Sequence, residues 1–397
     1  MPTPTHRRRL ALASAGLMLG ALALAGCGQD EPAAAPAATA PPSEATTTPA
    51  TEGDTGTTGV AVAAREDVFS VLSPWNQPVT DAPVHIGSDY MLRAAQLRSG
   101  VDRDGRVVRT LITDQFYINT EAWTVPVVSG GVPTALVCRQ AQCGDGSGEL
   151  VVAVPADVDP DPRYDGWMTV FDTERNVAYD LWRARREEDG SISYQYRRDW
   201  DLDGPGFSQP YLVSARSSGL PLFAGLIRPG ELERCEINHA LAIAVPGPAA
   251  GNFVQPASAT NGNGLPKSLP MGARIRLKAA YTPVDPVDRR TGKALPFTAE
   301  QSRLAGCLLT ALRTYGAIVV DRAAVPTLFF QRLPQDTPKL LQGYELQQLD
   351  LTDFEALDFS ASDRYEYPSQ DDDLGTSGLD ADLDVNSLDD TPVEAAP

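Results

Sequence analysis

The chain has 397 residues, with 33 Lys and Arg against 52 Asp and Glu, a formal charge of −19, three histidines and five cysteines. That length exceeds a small disulfide-stapled module, and an acidic chain without a basic stripe excludes a nucleic-acid binder. Much of the charge is terminal: residues 361–397 hold eleven acidic side chains and one arginine, net −10.

The first elements are targeting features. A basic stretch, His6-Arg7-Arg8-Arg9, precedes an apolar run from Leu10 to Ala23, short of the roughly 20 residues that span a bilayer. Leu24-Ala25-Gly26-Cys27 then looks like a bacterial lipobox. Residues 1–26 are expected to be a signal peptide and Cys27 an acylated, membrane-held N-terminus. Residues 27–64 are Pro, Ala, Thr, Gly and Glu with few large apolar side chains, so they read as a disordered tether. The expected place is the extracytoplasmic side of a bacterial envelope, on the outer membrane where there are two. The acidic stretch 361–397 reads as a second disordered tail.

Between them, residues 65–360 read as one β-rich domain. Runs of β-branched and aromatic residues recur between Gly, Pro and Asp turns: RVVRTLI, WTVPVV, ELVVAVP, WMTVFD, VAYDLWRA, SISYQYR, HALAIAVP, RIRLKAA and AIVVD. This spacing predicts a mainly β fold, a jelly-roll-like β-sandwich, over alternating β/α units. One amphipathic helix is predicted over 298–315. Thr298 and Gln301 form a capping box, Gly316 follows the end, and Leu304, Cys307, Leu308, Ala311 and Leu312 make an apolar stripe.

Without Cys27, four cysteines remain, an even number suited to an oxidising compartment. Cys138 and Cys143 bracket a turn, and Cys235 and Cys307 are expected to pin strand to helix. The absence of a Cys-x-x-Cys pair argues against zinc.

Candidate chemistry lies in three places. In EINHALAIAV, alternation puts Ile237, His239 and Leu241 on one side and Glu236, Asn238, Ala240, Ala242 and Ala244 on the other. A histidine on an apolar side is commonly a hydrogen-bonded core residue, whereas the alanine side leaves room for a packed element or a ligand. In VAYDLW, Asp180 and Trp182 share a face, the equipment for stacking a sugar and bonding its hydroxyls, although ordinary cores hold the same pair. In DWDLDGPGF, Asp199, Asp201, Asp203 and Gly204 match positions one, three, five and six of a calcium loop. Pro210 stands where the bidentate ligand belongs, and a plain Asp/Gly turn gives the same pattern. Ca2+ is the single cofactor the sequence suggests.

The ordered segments WNQPV, ARSSGLPLFAGLIRPGEL, EINHAL, LPMGARIRL, ALRTYGAIVVD and FEALD resemble a large family of secreted, mostly uncharacterised bacterial proteins, often associated with carbohydrate handling. The resemblance covers about residues 70–358 and implies a single secreted β-rich domain; it carries no activity. Where relatives often continue His-Ala-Leu with Arg, this chain has Ala242.

The expectation is a lipid-anchored envelope protein that acts on or binds polysaccharide. As a glycoside hydrolase it would use Asp180 and Glu236 as its carboxyl pair, and as a lyase His239 as base. Trp182 and Asn238 would contact the glycan. The alternative is a non-catalytic glycan-binding or structural envelope lipoprotein.

Overall fold

The computed structural model of the protein describes residues 68–113, 116–288, 291–360 and 365. The signal segment, Cys27, the tether and all of the acidic tail except Tyr365 lie outside the described residues.

The order of elements begins with α1 (Ser88–Ala95), β1 (Leu97–Val101), β2 (Val107–Leu111), β3 (Tyr117–Asn119), β4 (Val127–Ser129), β5 (Val132–Cys138) and β6 (Glu149–Val154). A central group follows: β7 (Met168–Asp172), β8 (Val177–Trp182), β9 (Arg185–Arg186), β10 (Ile192–Tyr194) and β11 (Tyr196–Asp201). The last part carries α2 (Pro229–Arg234), β12 (Leu241–Val245), β13 (Arg274–Leu277), α3 (Ala299–Thr314), β14 (Ala317–Arg322), β15 (Thr327–Phe329) and β16 (Phe354–Ala356). The protein is mainly β, sandwich-like, with few helices.

Among the described residues the strands form four sheets, ordered β1-β2, β6-β5-β10-β9, β11-β8-β7-β4 and β16-β13-β14-β12-β15-β3. Pairing is mixed: β5 with β10, β4 with β7 and β12 with β14 run parallel, while β7, β8 and β11 pair antiparallel. The β11-β8-β7-β4 sheet is buried on both faces. Met168, Val170, Tyr179 and Leu181 pack with Leu136, Val152 and Ile192 of the β6-β5-β10-β9 sheet in the smaller core. Phe171, Ala178 and Trp200 point the other way, into the larger core with the six-stranded sheet and α3. The alternation read for VAYDLW therefore holds, with Asp180 on the side facing the larger core.

Helix α3 is capped as its sequence predicts. Gln301 N–H donates to Thr298 Oγ1 at 3.2 Å and Thr298 N–H to Gln301 Oε1 at 3.0 Å. Gly316 ends it with φ 68°, where an added Cβ would stand 2.2 Å from the Ile275 carbonyl oxygen; only glycine fits. Both expected disulfides are present, Cys138–Cys143 and Cys235–Cys307, with Cα separations of 5.7 and 5.2 Å. The second closes a 72-residue separation and ties the end of α2 to α3.

Strand β12 starts at Leu241, so residues 236–240 are irregular chain, bent at His239, that leads into it. Ala240, Ala242 and Ala244 are fully buried and offer no floor to a sugar. Their small size admits the 3-10 turn Leu222–Gly225 instead: a Cβ on Gly225 would meet Ala242 N at 2.4 Å and the Trp75 ring at 2.6 Å. Trp75 is itself sealed in the core, donating its indole N–H to the Gly206 carbonyl at 2.9 Å.

Candidate functional site

The residues singled out in the sequence divide between two places. The first is built by RPGELERCEINHA. Pro229, lacking an N–H, opens α2 after the extended Arg228, and Glu231 accepts the Arg228 backbone N–H at 3.0 Å. Cys235 ends the helix in the left-handed region, φ 59°, and its disulfide holds that turn. Beyond it, Ile237 and His239 are buried while Glu236 and Asn238 are exposed, so the predicted alternation survives without a strand.

His239 is 5% exposed and engaged at both nitrogens. Nδ1 donates to the Ala240 carbonyl at 2.9 Å, and Nε2 lies 2.9 Å from Glu231 Oε1 and 2.8 Å from Arg228 Nη1. Arg228 adds bonds to Glu231 Oε1 at 2.6 Å and to the carbonyls of Phe223 and Ala224. Burial would raise the Glu231 carboxyl, but the facing His239 and Arg228 reverse this and hold it at about 2. The set ties α2, the 222–225 turn and the head of β12 together. His239 is thus an anchor with no nitrogen left over for a base, which corrects its assignment as catalytic.

A pocket bordered by Asn76, Arg228, Glu231, Glu236, Asn238 and His239 holds about 50 Å³. That admits a few waters and falls well below the roughly 150 Å³ of a cavity that takes a benzene-sized ligand. Glu236 and Asn238 stand at its mouth.

The second place holds Asp180 and Trp182, and neither touches the first. Asp180 is 1% exposed and lies between Thr169 of β7 and Arg198 of β11 in register. Its Oδ1 accepts the Thr169 hydroxyl at 2.9 Å; Oδ2 is buried with no partner among the described residues. Loss of water raises its carboxyl to about 7, against the pull of Thr169 and Arg216. Arg216, 3% exposed, reaches Asp321 of β14 at 3.2 Å through Nη1 and stacks on Trp167 at 3.4 Å from the ring centroid. Its Nε and Nη2 have no hydrogen-bond partner among the described residues. Asp180 and Glu236 share no element, pocket wall or hydrogen bond, so the carboxyl pair proposed for hydrolysis is not assembled.

Trp182 also changes role. It packs against the larger core and carries the Arg183 guanidinium 4.5 Å from its ring centroid. Its ring supports its neighbours and is not an open platform. Among the described residues the exposed tryptophan is Trp123, 39% accessible, tilted on Tyr164 at 5.5 Å and edge-on to Trp167 at 6.2 Å. Asp165 follows Tyr164 in the chain; burial raises its carboxyl although Arg183, Arg216 and the Trp182 side chain lower it.

Backbone bonds knit this rim. Arg183 N–H donates to the Asp165 carbonyl at 2.8 Å and Ala184 N–H to the Gly166 carbonyl at 2.9 Å. A Cβ on Gly166 would stand 2.3 Å from the Ala184 oxygen. Of the seven non-glycine residues with positive φ among the described residues, three fall here: Trp123 (59°), Asp165 (63°) and Arg183 (51°). Left-handed backbone in non-glycine residues costs about 1–3 kcal/mol each and clusters at functional sites. Sequence reasoning missed Trp123, Tyr164, Asp165, Arg183 and Arg216. The one signal was the density of aromatic and charged residues in PRYDGW and LWR, which carries no period.

The calcium reading is corrected. Asp199 lies in β11 and is gripped by Arg197 at 2.7 and 2.9 Å, a fork that satisfies both oxygens. Asp201 accepts the Asp203 N–H at 2.9 Å, and Asn176 bonds both Asp201 and Asp203. They form an Asp/Gly turn; among the described residues no three His, Cys, Asp or Glu side chains make a metal-holding group.

Compared with protein-family models, curated proteins and solved structures, the chain finds no match in any of the three.

Proposed function

We propose that this protein is a lipid-anchored extracytoplasmic protein that binds polysaccharide at the rim formed by Trp123, Tyr164, Asp165 and Arg183, without hydrolysing it. The observation that carries the reading is the convergence of an exposed tryptophan with a second aromatic ring, a carboxyl and a guanidinium on strained, well-tied backbone. Pyranose rings present apolar C–H faces to aromatic rings and a girdle of hydroxyls to polar groups, the combination this rim offers.

Hydrolysis needs two carboxyls within reach of one glycosidic bond, roughly 5–10 Å apart. Asp180 is sealed beneath the rim and Glu236 belongs to the other site, so binding is the better fit. The two disulfides and the N-terminal lipobox support an oxidising, extracytoplasmic setting.

The test is retention of the protein on a panel of insoluble polysaccharides, followed by fluorescence titration with soluble fragments of any polymer retained. Trp123→Ala is expected to weaken binding at least about tenfold, the effect of about 1.4 kcal/mol. No retention on any polymer, or undiminished binding by Trp123→Ala, overturns the proposal.

A further inference from the structure

The hydrogen-bonding groups left unused in and under the rim are unbalanced. Arg183 is half-buried; its guanidinium stacks on the Trp182 ring and lies within electrostatic reach of the Asp165 carboxyl. Among the described residues, no hydrogen bond engages its five side-chain N–H groups. Surrounding arginines are committed: Arg163 to Asp161 at 2.7 Å, Arg139 to Ser193 at 2.8 Å and to the Arg183 carbonyl, and Arg332 to the Asp159 carbonyl. Beneath, Arg216 keeps Nε and Nη2 unpartnered, the edge of the guanidinium that grips a carboxylate side-on.

Acceptors are scarcer. Asp161 is taken by Arg163, and Asp321 accepts from Arg216, Ser217 and its own neighbour's backbone. Asp165 faces the charges of Arg183 and Arg216, and Asp180 accepts from Thr169. No oxygen among the described residues hydrogen-bonds the Arg183 guanidinium, Asp165 acting on it through charge alone, and its left-handed backbone is held by bonds at both its N–H and its carbonyl. A ligand rich in charged oxygen would complete the arrangement.

We propose that the rim selects carboxylate-bearing polysaccharide, with the carboxylate of a uronate unit received by the Arg183 guanidinium where it stacks on Trp182. This rests on the glycan-binding reading and adds the ligand's charge class. A planar fork offering two parallel N–H groups matches a carboxylate better than a single hydroxyl, and stacking on an indole fixes the plane of the fork.

The experiment compares polygalacturonate with the same polymer after its carboxyl groups are reduced to alcohols, on the full-length protein at one fixed ionic strength. Wild type is expected to bind the acidic polymer at least about tenfold more tightly. Arg183→Gln should abolish that preference, weakening binding of the acidic polymer about tenfold more than that of the reduced one, while Arg183→Lys should restore it in part. Equal binding of the two polymers by wild type overturns the charge selection and leaves glycan binding standing. So does an acidic preference that survives in Arg183→Gln, or loss of both polymers in that variant. Binding of neutral polysaccharides alone does the same, whereas failure to bind any polymer sinks both readings.

Discussion

Replacing Asp180 by asparagine should make the protein more resistant to unfolding at pH 8 and leave it little changed at pH 4. The native carboxyl is raised from its ordinary 3.8 to about 7 because β7, β8 and β11 exclude water from it and Oδ2 meets no donor. The native state therefore binds this proton more tightly than the unfolded chain does. Below about pH 4 both states are protonated and the site costs nothing. As pH rises from 4 to 7 the unfolded chain releases the proton first, so stability falls; above 7 the full penalty is in place. At 1.36 kcal/mol per unit, a rise of about 3 units corresponds to about 4 kcal/mol. The amide introduced by Asp180→Asn keeps the acceptor for Thr169 and carries no charge. Urea unfolding of both proteins from pH 4 to 8 isolates the site, since other titrating groups cancel in the difference. With an m-value of about 3 kcal/mol/M, the relative midpoint should move by about 1 M in favour of the variant. A difference that does not change with pH, or one that moves against the variant as pH rises, would refute the reasoning.

Glu231 should behave with the opposite sign. Its carboxyl is held at about 2 by His239 and Arg228, so its contribution is present above about pH 4.5 and disappears as pH falls through 2. Glu231→Gln, which breaks a buried charged set, should cost about 3–5 kcal/mol at pH 7, with its thermal midpoint approaching wild type's toward pH 2; a constant gap down to pH 2 would contradict this. The two disulfides should differ in weight. In the chain-entropy model the Cys235–Cys307 link, spanning 72 residues, is worth about 4 kcal/mol. The Cys138–Cys143 link, spanning five, is worth about 2 kcal/mol. Serine pairs at each, compared by urea midpoint, should show the larger loss for Cys235→Ser/Cys307→Ser, and equal losses would count against a loop-closure origin.

Local pattern is enough for much of this protein. Alternation in VAYDLW puts Val177, Tyr179 and Leu181 on one side of β8 and Asp180 and Trp182 on the other, as they stand in the fold. The stripe and capping box of 298–315 locate α3 to within a residue at each end. Four cysteines with two separations suited to a turn and to a helix staple leave little choice of pairing. Each of these depends on neighbours along the chain, where side-chain direction follows from the period of the backbone.

The partners of the polar side chains are legible nowhere in that pattern. By sequence His239 can be base or anchor; Glu231, Arg228 and the Ala240 carbonyl close on it and make it an anchor. By sequence the alanines of β12 leave room for a packed element or a ligand, and a glycine turn and Trp75 take it. Asp180 and Glu236 make a pair by residue type, but one is sealed between sheets and the other stands at a pocket mouth. Composition and period determined the strands, the helix and the staples, because burial of apolar faces is local and additive. Tertiary structure alone decided the site, because the solvation, charge and reach of Trp123, Asp165, Arg183 and Arg216 depend on groups brought together from distant loops.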